Sequence, residues 1–152
     1  VEAARIARGN VLDLASVDPA DFDALLVPGG FGAAKNLCNF AVAGDQMEVQ
    51  ADFLRVAQAF HRAGKPIGLI CIAPVMAAAI CGEGTQCTIG NDADTAAAIA
   101  SMGGKHLECP VTEARVDAEH KLVTTPAYML AGSVSEAYSG ISECVQEVLA
   151  LA

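Results

Sequence analysis

Two short apolar runs, each broken at its C-terminal end by a tight loop, constrain this chain more than any other feature. Asp23-Ala24-Leu25-Leu26-Val27 stops at Pro28-Gly29-Gly30, and residues 66–70 stop at Cys71-Ile72-Ala73-Pro74. Runs that are apolar without alternation suit strands buried on both faces, as in a parallel sheet covered by helices. Helical signals fill the intervals. Asp18-Pro19 reads as a cap with proline at the first helical position. From Asp45, with Glu48 three residues on, Phe53, Val56, Ala57 and Phe60 fall on one helical face, and Gly64 and Pro66 end the pattern. A Met- and Ala-rich helix is expected over 74–80. Residues 87–89 read as a strand, and Asn91-Asp92 can cap an Ala-rich helix ending at Gly103-Gly104. Residues 111–116 and 121–125 read as a hairpin around residues 117–120. Ser133 and Glu136 form a capping box ahead of a helix whose buried stripe is Ile141, Cys144, Val145, Val148 and Leu149. About four or five strands alternating with four helices predict one α/β domain over residues 1–152. No complete strand-helix unit precedes Ala24, so an N-terminal segment of the sheet is expected to be missing.

Composition narrows the partners. With 152 residues, 9 Lys+Arg against 18 Asp+Glu and a net charge of −9, the chain does not suit a phosphate backbone, and 5% aromatics without Trp make a poor base-stacking platform. Hydrophobic residues at 53% and charged residues at 18% exclude a disordered chain. The longest uncharged stretch, 66–82, is interrupted by Gly68 and Pro74, so no membrane span is expected. Val1-Glu2-Ala3-Ala4-Arg5-Ile6 lacks the basic-then-apolar order of a secretory signal. Six cysteines without a CxxC pair suggest neither a zinc ribbon nor a disulfide framework, and reduced thiols point to a cytoplasmic compartment. His106-Leu107-Glu108-Cys109 has no second pair to complete a metal site, so no metal is expected.

The chemistry concentrates at Cys71. A nucleophile at a strand-to-helix turn projects from the C-terminal edge of the sheet, where N–H groups of the following turn can stabilise a thiolate and a developing oxyanion. Such a turn needs small neighbours, and Gly68, Ala73 and Pro74 supply them. Simple burial as a packing thiol is the competing explanation. The loop Pro28-Gly29-Gly30-Phe31-Gly32 follows the other buried strand and would face the same crevice, so Gly30 N–H can join Ile72 N–H as an oxyanion donor. A plain glycine turn explains that loop equally well. It is not a dinucleotide fingerprint, since no GxGxxG opens a helix. Cys38, Cys81, Cys87, Cys109 and Cys144 read as packing thiols, and His61 and His120 as solvated. Asn91 and Asp92 either line the crevice or merely cap a helix.

Pro28-Gly29-Gly30, the Cys71 elbow and the late hairpin together resemble the ThiJ/PfpI superfamily, related to class I glutamine amidotransferases. The chain is similar to its ElbB-like branch, described as glyoxalases and as enhancers of isoprenoid biosynthesis. The matching segments include Ala4-Arg5-Ile6-Ala7-Arg8-Gly9, residues 28–37, Gly64-Lys65-Pro66, Cys71-Ile72-Ala73-Pro74, Thr88-Ile89-Gly90, Asp94-Thr95-Ala96 and residues 123–130, nearly the whole chain. The resemblance implies a flavodoxin-like three-layer sandwich with a mostly parallel sheet, and a homodimer. It also implies Cys71 as nucleophile and Gly30 and Ile72 at the oxyanion positions; Gly29, Asn36, Asn91 and Thr125 are expected around the pocket. The family's acidic partner of the cysteine lies on a first strand, expected upstream of Val1. Two departures remove the usual general base: Ile72 stands where protease-like members carry His, and Thr125-Pro126-Ala127 where amidotransferases carry His-Pro-Glu. Proteolysis and a glutaminase role are therefore disfavoured. The expected activity is a cofactor-free, glyoxalase III-like lyase acting slowly on small dicarbonyls, with His106, His120 and Asp92 as default candidates for the base. The rival expectation is a non-catalytic regulatory or redox-sensing protein linked to isoprenoid biosynthesis.

Overall fold

A computed structural model describes residues 2–152. Val1, which opens the segment weighed as a signal, lies outside them. The elements run α1 (Glu2–Ile6), β1 (Leu25–Val27), α2 (Phe40–Ala43), α3 (Ala51–Arg62), β2 (Ile67–Ile70), α4 (Ala77–Cys81), β3 (Gln86–Cys87), α5 (Ala93–Ser101), β4 (Lys105–His106), β5 (Arg115–Asp117), β6 (Leu122–Thr125) and α6 (Val134–Leu151).

The main sheet has the order β1-β2-β6-β5, with β1, β2 and β6 parallel and β5 antiparallel to β6. Every residue of β2 and β6 is buried, as apolar runs without alternation require. Side chains from the two faces feed different cores. Ile67, Leu69 and Leu122 join Phe53, Val56, Ala57 and Phe60 of α3, whereas Ile70 and Val123 join Cys144 and Val148 of α6. Helices on both faces of a mostly parallel sheet make the flavodoxin-like three-layer sandwich. Gly68 allows the close approach of α6, because a Cβ there would stand 3.0 Å from Val148 Cγ2 and 3.5 Å from Cys144 Sγ.

Several sequence expectations are corrected in detail. The helix expected from Asp45 begins at Ala51, capped by Gln50, whose Oε1 accepts from Phe53 N at 2.7 Å. The strand expected over 87–89 is Gln86–Cys87, and it pairs in parallel with β4 as a separate two-stranded sheet. The helix expected over 74–80 opens as a 3-10 turn, Ala73–Met76, before α4. On α6 the buried stripe is Ala137, Gly140, Cys144 and Val148, while Leu149 is 66% exposed. Spacings of three and four residues keep one face, and Leu149 lies about 100° away from Val148. The capping signals hold: Asp18 caps a 3-10 turn, Asp92 caps α5 and Ser133 caps α6. β5 and β6 form the expected hairpin, but its first strand is Arg115–Asp117 rather than 111–116.

Candidate active site

Strand β2 delivers the chain to Cys71, whose φ of +64° lies in the left-handed region that side-chain-bearing residues rarely occupy. Such a residue costs on the order of 1–3 kcal/mol and persists where its surroundings fix it. Three contacts do so here. Cys71 N–H donates to Thr125 O at 2.9 Å, extending the β2–β6 ladder by one bond. Thr125 is itself fully buried, its hydroxyl donating to Glu113 O at 2.9 Å. Gly29, from the loop after β1, packs directly on the elbow, so close that a Cβ would collide with Cys71 Cβ and come within 2.5 Å of Ile70 O. Beyond Cys71 the chain turns at once into the Ala73–Met76 coil with Pro74 in its first turn.

Cys71 is half-buried and lines a cavity of about 350 Å³ together with Gly30, Phe31, Ala34, Phe40, Ala41, Ile72, Tyr128 and Met129. Gly30 adopts φ +85°, and its carbonyl accepts from Ala33 N at 3.0 Å, closing the turn that brings its backbone to the cavity. The other five cysteines are buried. Burial pushes the thiols of Cys81, Cys87 and Cys144 up to about 12, with the Asp117 charge adding to the effect on Cys81 and Cys87. Burial raises Cys38 and Cys109 as well. These five thiols therefore stay protonated and unreactive at neutral pH.

Gly29, Gly30, Cys71, Ile72 and Thr125 thus meet at one edge of the sheet. Asn36 and Asn91 do not join them: Asn36 lies in a separate hollow with Cys38, Asn39 and Glu48, and Asn91 in another with Glu108, Cys109 and Leu130. None of the three default bases lines the cavity. Asp92 is occupied as the α5 cap, accepting from Thr95 N at 2.8 Å, and the Thr95 hydrogen bonds hold its carboxyl below the ordinary range. His120, expected to be solvated, instead places Nδ1 2.8 Å from Asp117 Oδ2 and stacks its ring on His61 at 5.9 Å. Asp117 is 4% exposed; burial works to raise its carboxyl, but bonds from Gln86 N–H and His120 outweigh that and hold it low. His106 Nε2 accepts from Ile89 N at 3.3 Å, and burial lowers the ring's affinity for a proton, with Glu108 opposing. Among the described residues no group of three or more His, Cys, Asp or Glu could hold a metal ion.

His106 gives a pH dependence. Its proton affinity is lower folded than unfolded, so the unfolded chain gains protons first as pH falls through about 6.5, and stability declines below that value. Urea midpoints of the wild type should fall between pH 7.5 and 5.5 more than those of His106→Gln; equal declines would count against the assignment.

Phe31, Phe40, Tyr128 and Met129 were not singled out from sequence as pocket residues. A signal existed: Phe31 follows the loop after β1, and Tyr128-Met129 follow β6, and loops at the C-terminal ends of adjacent parallel strands converge. Ala127, at φ +43° and buried, stands in the run compared with His-Pro-Glu and contributes a methyl group there.

Fold and elbow together define a class of α/β proteins built around a cysteine at a strand-to-helix turn. Comparison with known proteins specifies it further. A human protein named "Glutamine amidotransferase-like class 1 domain-containing protein 3, mitochondrial" is 47% identical over 99% of this chain. An Ehrlichia chaffeensis crystal structure, of an isoprenoid biosynthesis protein with an amidotransferase-like domain, is 34% identical with a TM-score of 0.89 and covers 99% of this chain and 68% of its own. Glyoxalase III from Candida albicans, 18% identical with a TM-score of 0.51, covers 86% of this chain and 60% of its own and shares the fold. No protein-family model matches the chain. The chain belongs to the class I glutamine amidotransferase-like family, and it shares its fold with a DJ-1/ThiJ/PfpI-like domain from Anabaena variabilis that is 19% identical with a TM-score of 0.54. It spans 59% of the length of its human relative. The expectation of a cytoplasmic protein is overturned, because three curated relatives, from human, rat and zebrafish, are named mitochondrial proteins; a reducing environment for free thiols does not distinguish the compartments. Among the described residues, no helix is long and apolar enough to cross a membrane.

Proposed function

We propose that this protein is a glyoxalase-like enzyme that converts dicarbonyls to hydroxy acids through Cys71, in a mitochondrial setting and as a homodimer. The observation that carries the proposal is Cys71 itself, held at φ +64° and lining the cavity beside Gly30 and Ile72 while the other five thiols are buried. Cys71 thiolate adds to the aldehyde carbon, and the carbonyl π pair moves to oxygen. Gly30 and Ile72 N–H groups stabilise that hemithioacetal oxyanion. The proton on the former aldehyde carbon then passes to the neighbouring carbonyl carbon through an enediol, leaving a 2-hydroxy thioester. Water hydrolyses the thioester, releasing the hydroxy acid and the thiol. Water adds across the dicarbonyl overall, with no external oxidant or reductant.

The proton shift is the slow step. Among the described residues, the cavity lining offers no His, Asp, Glu or Lys to move the proton. A positioned general base contributes about 10²–10⁴-fold, so turnover should be slower than in a base-equipped site by a comparable factor. The same lack of a base favours a second reading, a regulatory or redox-sensing thiol linked to isoprenoid biosynthesis. Glycolate release from glyoxal by wild type and Cys71→Ser separates the two. The enzyme reading expects release to fall to background in the variant, and equal rates would leave the sensor.

A further inference from the structure

We infer that the Cys71 cavity selects uncharged carbonyl compounds bearing an aryl or branched alkyl group, in preference to glyoxal and to anionic oxo acids; this specificity rests on the reading of Cys71 as the nucleophile. Size is the first ground. A cavity of about 350 Å³ falls within the range filled by ligands of drug size. Glyoxal, two carbons and two oxygens, would leave most of that space to water.

Chemistry is the second ground. Beside Cys71 and Gly30, the walls are hydrocarbon from Phe31, Phe40, Ile72 and Met129, with the Tyr128 phenol as the polar exception. Among the described residues neither an ammonium nor a guanidinium lines the cavity, so a carboxylate entering it would lose its hydration with no cation to offset the loss. The net charge of −9 further opposes the approach of an anion. Lys35 places its Nζ 4.9 Å from the Phe31 ring centroid but does not itself line the cavity.

Exposure is the third ground. Phe31 and Tyr128 both line the cavity, yet they are 73% and 62% exposed. Aromatic surface left in water beside a nucleophile is surface that an aryl or alkyl substituent would cover, with gain from both sides of the contact.

Alkylation of Cys71 reads this preference without requiring turnover. Second-order rates with phenacyl bromide, iodoacetamide and iodoacetate, each divided by the rate with glutathione, are measured on the purified protein, with the adduct located by mass spectrometry. A single methylene in an apolar pocket is worth about 10- to 200-fold, so the normalised phenacyl rate should exceed that of iodoacetamide by about tenfold or more. Iodoacetate should fall below iodoacetamide. Phe31→Ala and Tyr128→Ala should each lower the ratio of the normalised phenacyl rate to the normalised iodoacetamide rate. Equal normalised rates for the three reagents, or variants that slow all three alike, would overturn the inference. Turnover distinguishes it from the parent reading: phenylglyoxal should exceed glyoxal in kcat/KM by a similar factor. Equal Cys71-dependent turnover of both would sink the specificity alone, whereas no turnover with the phenacyl preference intact would sink the glyoxalase reading alone.

Discussion

Alanine at Gly140 should destabilise the protein by about 1–3 kcal/mol even though it is the better helix former. Gly140 lies inside α6 and is buried. In an exposed helix the substitution would gain about 1 kcal/mol. Here the added methyl would collide with Val111 O and press on Thr125 Oγ1 at 2.8 Å. Neither neighbour yields easily: one is backbone, and the other is a fully buried hydroxyl bonded to Glu113 O. Forced overpacking of this kind typically costs about 1–3 kcal/mol and occasionally more. Urea unfolding should show a lower midpoint with an unchanged slope. A raised midpoint would mean that the Val111 segment moves aside freely. The effect should also reach the elbow, because Thr125 holds Cys71 N–H through its carbonyl.

Gly29→Ala attacks the same elbow from the opposite side. Its Cβ would overlap Cys71 Cβ and stand 2.5 Å from Ile70 O, so either the Pro28-Gly29-Gly30 loop or Cys71 must shift. Misplacing a reacting group by about 1 Å can cost on the order of 10²-fold in rate. Both the iodoacetamide rate at Cys71 and glycolate release should therefore drop by about tenfold or more, with a lower melting temperature. A variant that retains wild-type alkylation and melting would show that the two loops are not packed as described.

The elbow was readable in sequence because its requirements are written in residue type. Gly68 must be small to admit α6, Pro74 suits the first turn of a coil, and the glycines after β1 leave room for Cys71. The start of α3 was not readable. Asp45 and Glu48 satisfy a capping pattern, yet Glu48 N donates to Asn39 Oδ1 at 2.7 Å and Asn39 N donates to Glu48 O at 3.2 Å. That exchange, with the Cys38–Val49 bridge, holds residues 48 and 49 extended and postpones the helix to Ala51. A contact between residues nine apart overrides a signal written within four. The pairing of His120 was not readable for a similar reason. Its turn was legible, but the Asp117 carboxylate that it bonds is fixed by Gln86 N–H, thirty-one residues distant. The cavity was half legible: the sulfur and the glycine loop announce themselves by type, whereas Phe31 and Tyr128 gain meaning once β1, β2 and β6 lie side by side.

Six sulfhydryls divided so unevenly between interior and cavity turn the molecule into its own conformational gauge. A chromogenic disulfide reagent should consume one equivalent per native chain promptly and the remaining five as the chain opens, so stoichiometry against time would read out unfolding without any attached label.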